Sequence, residues 1–203
     1  GFACVLFDFR SHGWSGGRRC TFGIEEARDL RAVVDWVRAR SPGTKIVLFG
    51  SSMGAATAVF TARSLAEPVS ALVLDGPYAR LDEAGKGWWS YIGMGAFSKL
   101  LAPTVWFGRA LTGHRPQSAD TTKALETLGS TPVLLLYGAK DHVVPRPAAE
   151  RCVEATNHGR GEGFESSGHS EARFKEPERY LAVGLEFLRN NGLGTQDETG
   201  SFS

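Results

Sequence analysis

Four nearly uninterrupted apolar runs punctuate this chain: Ala3-Cys4-Val5-Leu6-Phe7, Ile46-Val47-Leu48-Phe49, Val69 to Leu74, and Val133-Leu134-Leu135-Leu136-Tyr137. Each has the length of a strand, and unbroken apolar character predicts strands covered on both faces rather than one. Between the first two runs, Ile24, Ala27, Leu30, Val33, Val34 and Val37 recur at helical spacing. Glu25 and Glu26 stand early in that helix, Arg38 and Arg40 late, and Ser41-Pro42-Gly43 is its stop signal. Further helical patterns cover about Pro147 to Thr156 and Glu178 to Arg189, with a weak strand signal near Phe164. Alternation of this kind predicts an α/β fold, a mostly parallel sheet with helices on both faces and ligand sites at the carboxyl ends of the strands.

One segment breaks the alternation. Between Asp75 and Val133 lies an insertion carrying Trp88, Trp89, Tyr91, Ile92, Met94, Phe97, Leu100, Leu101, Val105, Trp106, Phe107 and Leu111, including three of the five tryptophans. That is more apolar mass than a surface connection needs. A helical pair packed on the main sheet accounts for it, and so does a cap at about residues 80–118 whose Trp88 and Trp89 line a substrate wall. Lys99, Pro103 and Arg109 disfavour a membrane span within it. The tail from Asn190 to Ser203 is polar and Gly-rich, the composition of a disordered segment.

The bulk numbers narrow the function. At 203 residues, 42% hydrophobic and 22% charged, the chain suits one soluble domain with a substantial core. A formal net charge of +1 without long charge runs gives no reason to expect nucleic acid, and a small neutral or amphiphilic molecule is the expected partner. The oligomeric state is not legible. Cys4, Cys20 and Cys152 are odd in number and far apart, which argues against a disulfide framework or a zinc site. The histidines show no ligand spacing on one element, so no metal is expected. No apolar span is long enough for a bilayer and the chain does not open on a basic start with an apolar h-region, so a cytoplasmic location is the expectation, with a signal or anchor upstream of the first strand as the alternative.

The chemistry concentrates in short motifs. Gly50-Ser51-Ser52-Met53-Gly54 sits between a strand and a helix of small residues, the context of a nucleophile elbow that holds Ser52 at the tip of a strained turn. A second G-x-S-x-G match, Gly13-Trp14-Ser15-Gly16-Gly17, leads into Arg18-Arg19-Cys20 and not a helix, so Ser15 reads as a loop residue. A serine needs a base within reach and an acid to fix that base's tautomer, in the chain order Ser, Asp or Glu, His. Asp141 follows a buried strand in Gly138-Ala139-Lys140-Asp141-His142 and is the leading acid; Asp75, in Leu74-Asp75-Gly76-Pro77, is the runner-up. His169, in Ser167-Gly168-His169-Ser170, is the leading base. His158 closes a helix, His142 adjoins Asp141, and His12 and His114 precede the acid. The Met53 N–H at the helix start would be one oxyanion donor.

Taken together, Phe7-Asp8-Phe9-Arg10-Ser11-His12-Gly13, Gly50-Ser51-Ser52-Met53-Gly54, Gly138-Ala139-Lys140-Asp141-His142-Val143-Val144-Pro145 and Gly168-His169 resemble the α/β-hydrolase fold. The likeness is closest to its serine-aminopeptidase and monoglyceride-lipase-like branch, and it spans residues 1–189. The resemblance implies Ser52, Asp141 and His169 as catalytic triad, the insertion as cap, and no cofactor. Family members begin earlier, with further strands and a His-Gly loop supplying the second oxyanion donor. The expectation is therefore an N-terminally incomplete hydrolase domain with that donor missing, a bared sheet edge, weak activity and a tendency to associate. The complete protein would cleave an ester, thioester or amide through an acyl-serine; an inactive binding or scaffold module on the same fold is the alternative. For an aminopeptidase, Glu83 is the available carboxylate to hold a free amine.

Overall fold

The structure, a computed structural model, describes residues 2–91, 93 and 113–194. Among the described residues four strands, β1 (Val47–Ser51), β2 (Ala71–Asp75), β3 (Val133–Gly138) and β4 (Gly159–Phe164), pair in parallel in their order along the chain. Register is continuous: Ser51 faces Asp75, Asp75 faces Leu136, and Gly138 faces Phe164. All four carboxyl ends therefore open on one side of the sheet. The helices are α1 (Glu26–Arg40), α2 (Met53–Ala62), α3 (Leu81–Tyr91), α4 (Thr121–Leu125), α5 (Arg146–Glu154), α6 (Ala172–Lys175) and α7 (Pro177–Asn190).

Side chains alternate across the central strands, as the pleat requires. Leu72 and Leu74 of β2, with Val133 and Leu135 of β3, join Val34 of α1, Val59 of α2 and Cys152 of α5 in one apolar cluster. Ala71, Val73, Leu134 and Leu136 point the other way and meet Phe164, Val183 and Phe187 beneath α7. Both faces of β2 and β3 are thus covered, which is why their sequences carry no polar alternation. Burial in the first cluster pushes the Cys152 thiol up to about 11, so it serves as a small apolar residue.

The first apolar run departs from expectation. Residues 2–9 form no strand, and Phe2, Val5, Leu6 and Phe7 are exposed. A strand needs a neighbour for its backbone groups, and among the described residues none pairs with this segment. Its anchor is polar: the Arg10 guanidinium bonds Asp29 of α1 at 2.7 Å and Glu25 at 3.2 Å. For the same reason β1 is an edge strand among the described residues, and its Phe49 is exposed although its sequence reads as fully buried. The weak signal near Phe164 is the end of a full strand, β4. Of the cap expected at about residues 80–118, residues 80–91, 93 and 113–118 are described and the rest lies outside the described residues; of the tail expected to be disordered from Asn190, that residue ends α7 and Leu193 is buried against the core, while 195–203 lie outside the described residues.

Candidate active site

The turn after β1 places Ser52 at φ +52°, a left-handed conformation that costs a non-glycine residue on the order of 1–3 kcal/mol. Two features hold it there. The Ser52 N–H donates to the Asp75 carbonyl at 2.7 Å, and α2 begins at the next residue. A Cβ on Gly50 would lie 2.4 Å from the Gly54 carbonyl, so strand and helix close on each other only with glycine at 50. Both flanking glycines are expected from sequence to serve this approach, but a Cβ on Gly54 would meet nothing within 4 Å. One glycine of the pair carries the constraint.

Asp141 lies in the loop after β3 and is buried. Its Oδ1 accepts from the N–H groups of Val143 and Val144, both at 2.8 Å, which leaves Oδ2 turned toward the site. His169 lies in the loop after β4. Its Nδ1 is 2.7 Å from Asp141 Oδ2, and its Nε2 is 2.8 Å from Ser52 Oγ. Since the carboxylate can only accept, Nδ1 carries the proton in this arrangement and Nε2 is the acceptor for the Ser52 hydroxyl. An alcohol, an imidazole and a carboxylate from three different strand ends therefore form one hydrogen-bonded chain.

The competing residues are placed elsewhere. Ser15 donates its hydroxyl to the Asp8 carbonyl at 2.7 Å and stabilises its own turn. His12 Nδ1 lies 2.8 Å from the Arg10 carbonyl, and His114 Nε2 lies 3.1 Å from Glu25. The His142 ring stacks on Tyr91 at 6.1 Å, and His158 stands just before β4, at the opposite end of that strand from His169. Asp75, the runner-up acid, is buried and accepts from the Tyr180 hydroxyl at 3.0 Å. Burial pushes its carboxyl above the ordinary range, against the bond from Tyr180 and the Arg173 charge. Glu83 is paired with Arg151 and lies 3.9 Å from Arg80.

Trp88 and Trp89 both lie on α3. Trp88 is half exposed and its ring is 5.9 Å from Tyr91, so the aromatic side of the helix stands beside the loop that carries Asp141. Contact is also direct: a Cβ on Gly87 would lie 2.6 Å from the Val143 carbonyl. At the elbow, Cys20 Sγ approaches Met53 Sδ at 3.6 Å, bringing the loop before α1 to the nucleophile turn. Sequence motifs gave no hint of that contact. Among the described residues no group of three or more His, Cys, Asp or Glu is placed to hold a metal ion, and no helix is long and apolar enough to cross a membrane.

A parallel sheet with a serine at a strained strand-to-helix turn, an acid after one later strand and a histidine after the next defines a hydrolase-type fold. Residues 1–183 match the Alpha/beta hydrolase family, and the chain belongs to it. The uncharacterized protein Rv2307c of Mycobacterium tuberculosis is 32% identical over 187 residues, covering 90% of this chain and 52% of that protein. Lysophosphatidylserine lipase ABHD12 of Xenopus tropicalis is 26% identical over 151 residues, 71% of this chain and 36% of that protein. The chain thus spans about half the length of these relatives or less. Among solved structures, the Pyrococcus furiosus esterase Pf2001 superposes with a TM-score of 0.72 at 26% identity, covering 90% of this chain and 68% of that one.

Proposed function

We propose that the protein is a serine hydrolase that cleaves acyl esters through an acyl-Ser52 intermediate. The observation that carries this reading is the position of the His169 ring, within hydrogen-bond distance of Ser52 Oγ on one side and Asp141 on the other. In the first half-reaction, Ser52 Oγ forms a bond to the substrate carbonyl carbon while its proton passes to His169 Nε2. Asp141 Oδ2 holds the Nδ1–H and stabilises the imidazolium. The oxyanion would take the Met53 N–H, one of the first amides of α2, which lack intrahelical partners and lie at the positive end of the helix dipole. His169 then returns the proton to the leaving oxygen as the carbonyl re-forms. Water repeats the sequence on the acyl-enzyme, releasing the acid.

Ester substrates are favoured over aminoacyl amides because Glu83 is paired with Arg151 and is not free to hold an ammonium group. The similarity to the esterase Pf2001 and to the lipase ABHD12 points the same way. An apolar acyl group suits the aromatic side of α3, with Trp88 and Trp89 forming part of its wall. A fluorophosphonate probe should label this chain at Ser52, located by peptide mass spectrometry. Ser52→Ala should abolish labelling, and Asp141→Asn should slow it by about 10³-fold or more. Labelling that survives in Ser52→Ala rejects the assignment.

A further inference from the structure

Beside the Ser52–His169–Asp141 chain runs a second polar network that no motif announced. Arg173, on α6, donates to Ser51 Oγ at 3.0 Å and lies 3.5 Å from Asp75 Oδ2. Ser51 in turn donates to Ser170 Oγ at 2.9 Å. Ser51 and Ser170 are the immediate chain neighbours of Ser52 and His169, so this hydroxyl pair bridges the same two loops one residue away from the reacting atoms. Ser170 sits at φ +53°, a left-handed conformation that a free loop would relax. The Asp75 backbone also takes part, accepting the Ser52 N–H, and the turn at Gly76 lies directly under the His169 ring, where an added Cβ would stand 3.4 Å from Cε1.

We propose that Asp75, Arg173 and the Ser51–Ser170 hydroxyl pair form a positioning relay that holds the His169 loop against the elbow, so that Nε2 stays within reach of the Ser52 hydroxyl. The groups facing Asp75 are Tyr180 from α7, Arg173 from α6, and His169 and Asp141 from the two loops. Burial raises the cost of the Asp75 charge, and Arg173 and Tyr180 offset it, so losing the guanidinium releases both ends of the relay. None of these side chains touches substrate. Asp75, the runner-up acid from sequence, acts on this view through Arg173 and its own carbonyl, not as a proton relay.

The relay rests on the serine-nucleophile reading, and fluorophosphonate kinetics separates the two. On this chain, the maximal inactivation rate kinact reports the poise of Ser52 and His169, whereas KI reports probe binding. Arg173→Met should lower kinact about tenfold with KI unchanged, and Arg173→Lys, which restores a cation, should recover most of the loss. Should Arg173→Met fail to fold, as judged by circular dichroism, the double change Ser51→Ala and Ser170→Ala removes only two hydroxyls and should still lower kinact at least threefold. Wild-type protein that does not label at Ser52 overturns the nucleophile reading and the relay with it. Labelled wild type with unchanged kinact in the folded variants, or a loss confined to KI, overturns the relay alone.

Discussion

Gly50 and Gly54 flank the same turn, yet only at Gly50 would a methyl group strike backbone. Gly50→Ala must push β1 from α2, an overpacking that costs about 1–3 kcal/mol or more and displaces Ser52. Gly54→Ala meets open space inside a helix and should be neutral or stabilising by up to about 1 kcal/mol, because alanine is the better helix former. Thermal unfolding of the two variants tests the contrast. Glu26 offers a prediction with a pH sign. Its buried carboxylate accepts from the Thr21 N–H at 2.8 Å, the Thr21 hydroxyl at 2.6 Å and the Gly23 N–H at 2.8 Å. Burial alone would raise it, but these bonds prevail and hold it below its ordinary 4.5. A carboxylate depressed on folding contributes stability that is complete above the unfolded value and disappears as pH falls through the folded one. Glu26→Gln should therefore cost about 1.5–3 kcal/mol at neutral pH, with the gap to wild type narrowing in acid. The meeting of Ser52, Asp141 and His169 in one hydrogen-bonded chain could be anticipated because each sits in a motif with strand context. The part of Arg173 and Ser170 could not, since an ordinary arginine four residues past a histidine becomes informative only when folding brings it to Ser51.

At the scale of elements, α3 matters more than its place in the insertion suggests. It meets the acid loop backbone to backbone at Gly87, beside the two amides that fix Asp141. Gly87→Ala should shift that loop and lower the rate of Ser52 labelling by about tenfold, while an exposed change on the same helix, Lys86→Ala, should not. Equal rates in the two variants would show the contact to be passive. The same scale explains which elements sequence revealed. β2 and β3 are covered on both faces, so their apolar runs announced them. β4 reads Gly-Arg-Gly-Glu-Gly-Phe and hides its identity, because three glycines there leave room for Val153 and the Tyr137 ring to lie against the strand or for a tight start. The Ala3–Phe7 run misled in the opposite sense: its residues have strand character, but pairing belongs to the sheet and not to the segment.

For the whole molecule, two apolar clusters among the described residues clamp the sheet; β1 gives Leu48 to the first and packs Val47 on the second, but leaves Phe49 exposed. An edge strand with an exposed apolar side chain is a template for pairing between chains. Sedimentation velocity should show concentration-dependent association of this chain, reduced by Phe49→Lys; a monomer at every loading concentration would count against it. The parallel register that gathers four strand ends at one side also makes global stability and chemistry draw on the same turn. Ser52 holds a backbone conformation suited to glycine, and the whole fold bears that strain. Ser52→Gly should thus melt at a higher temperature than Ser52→Ala while being equally unable to react with the probe. Durability alone gives no reason for a hydroxyl at so uncomfortable a position, whereas the proposed nucleophile role requires one.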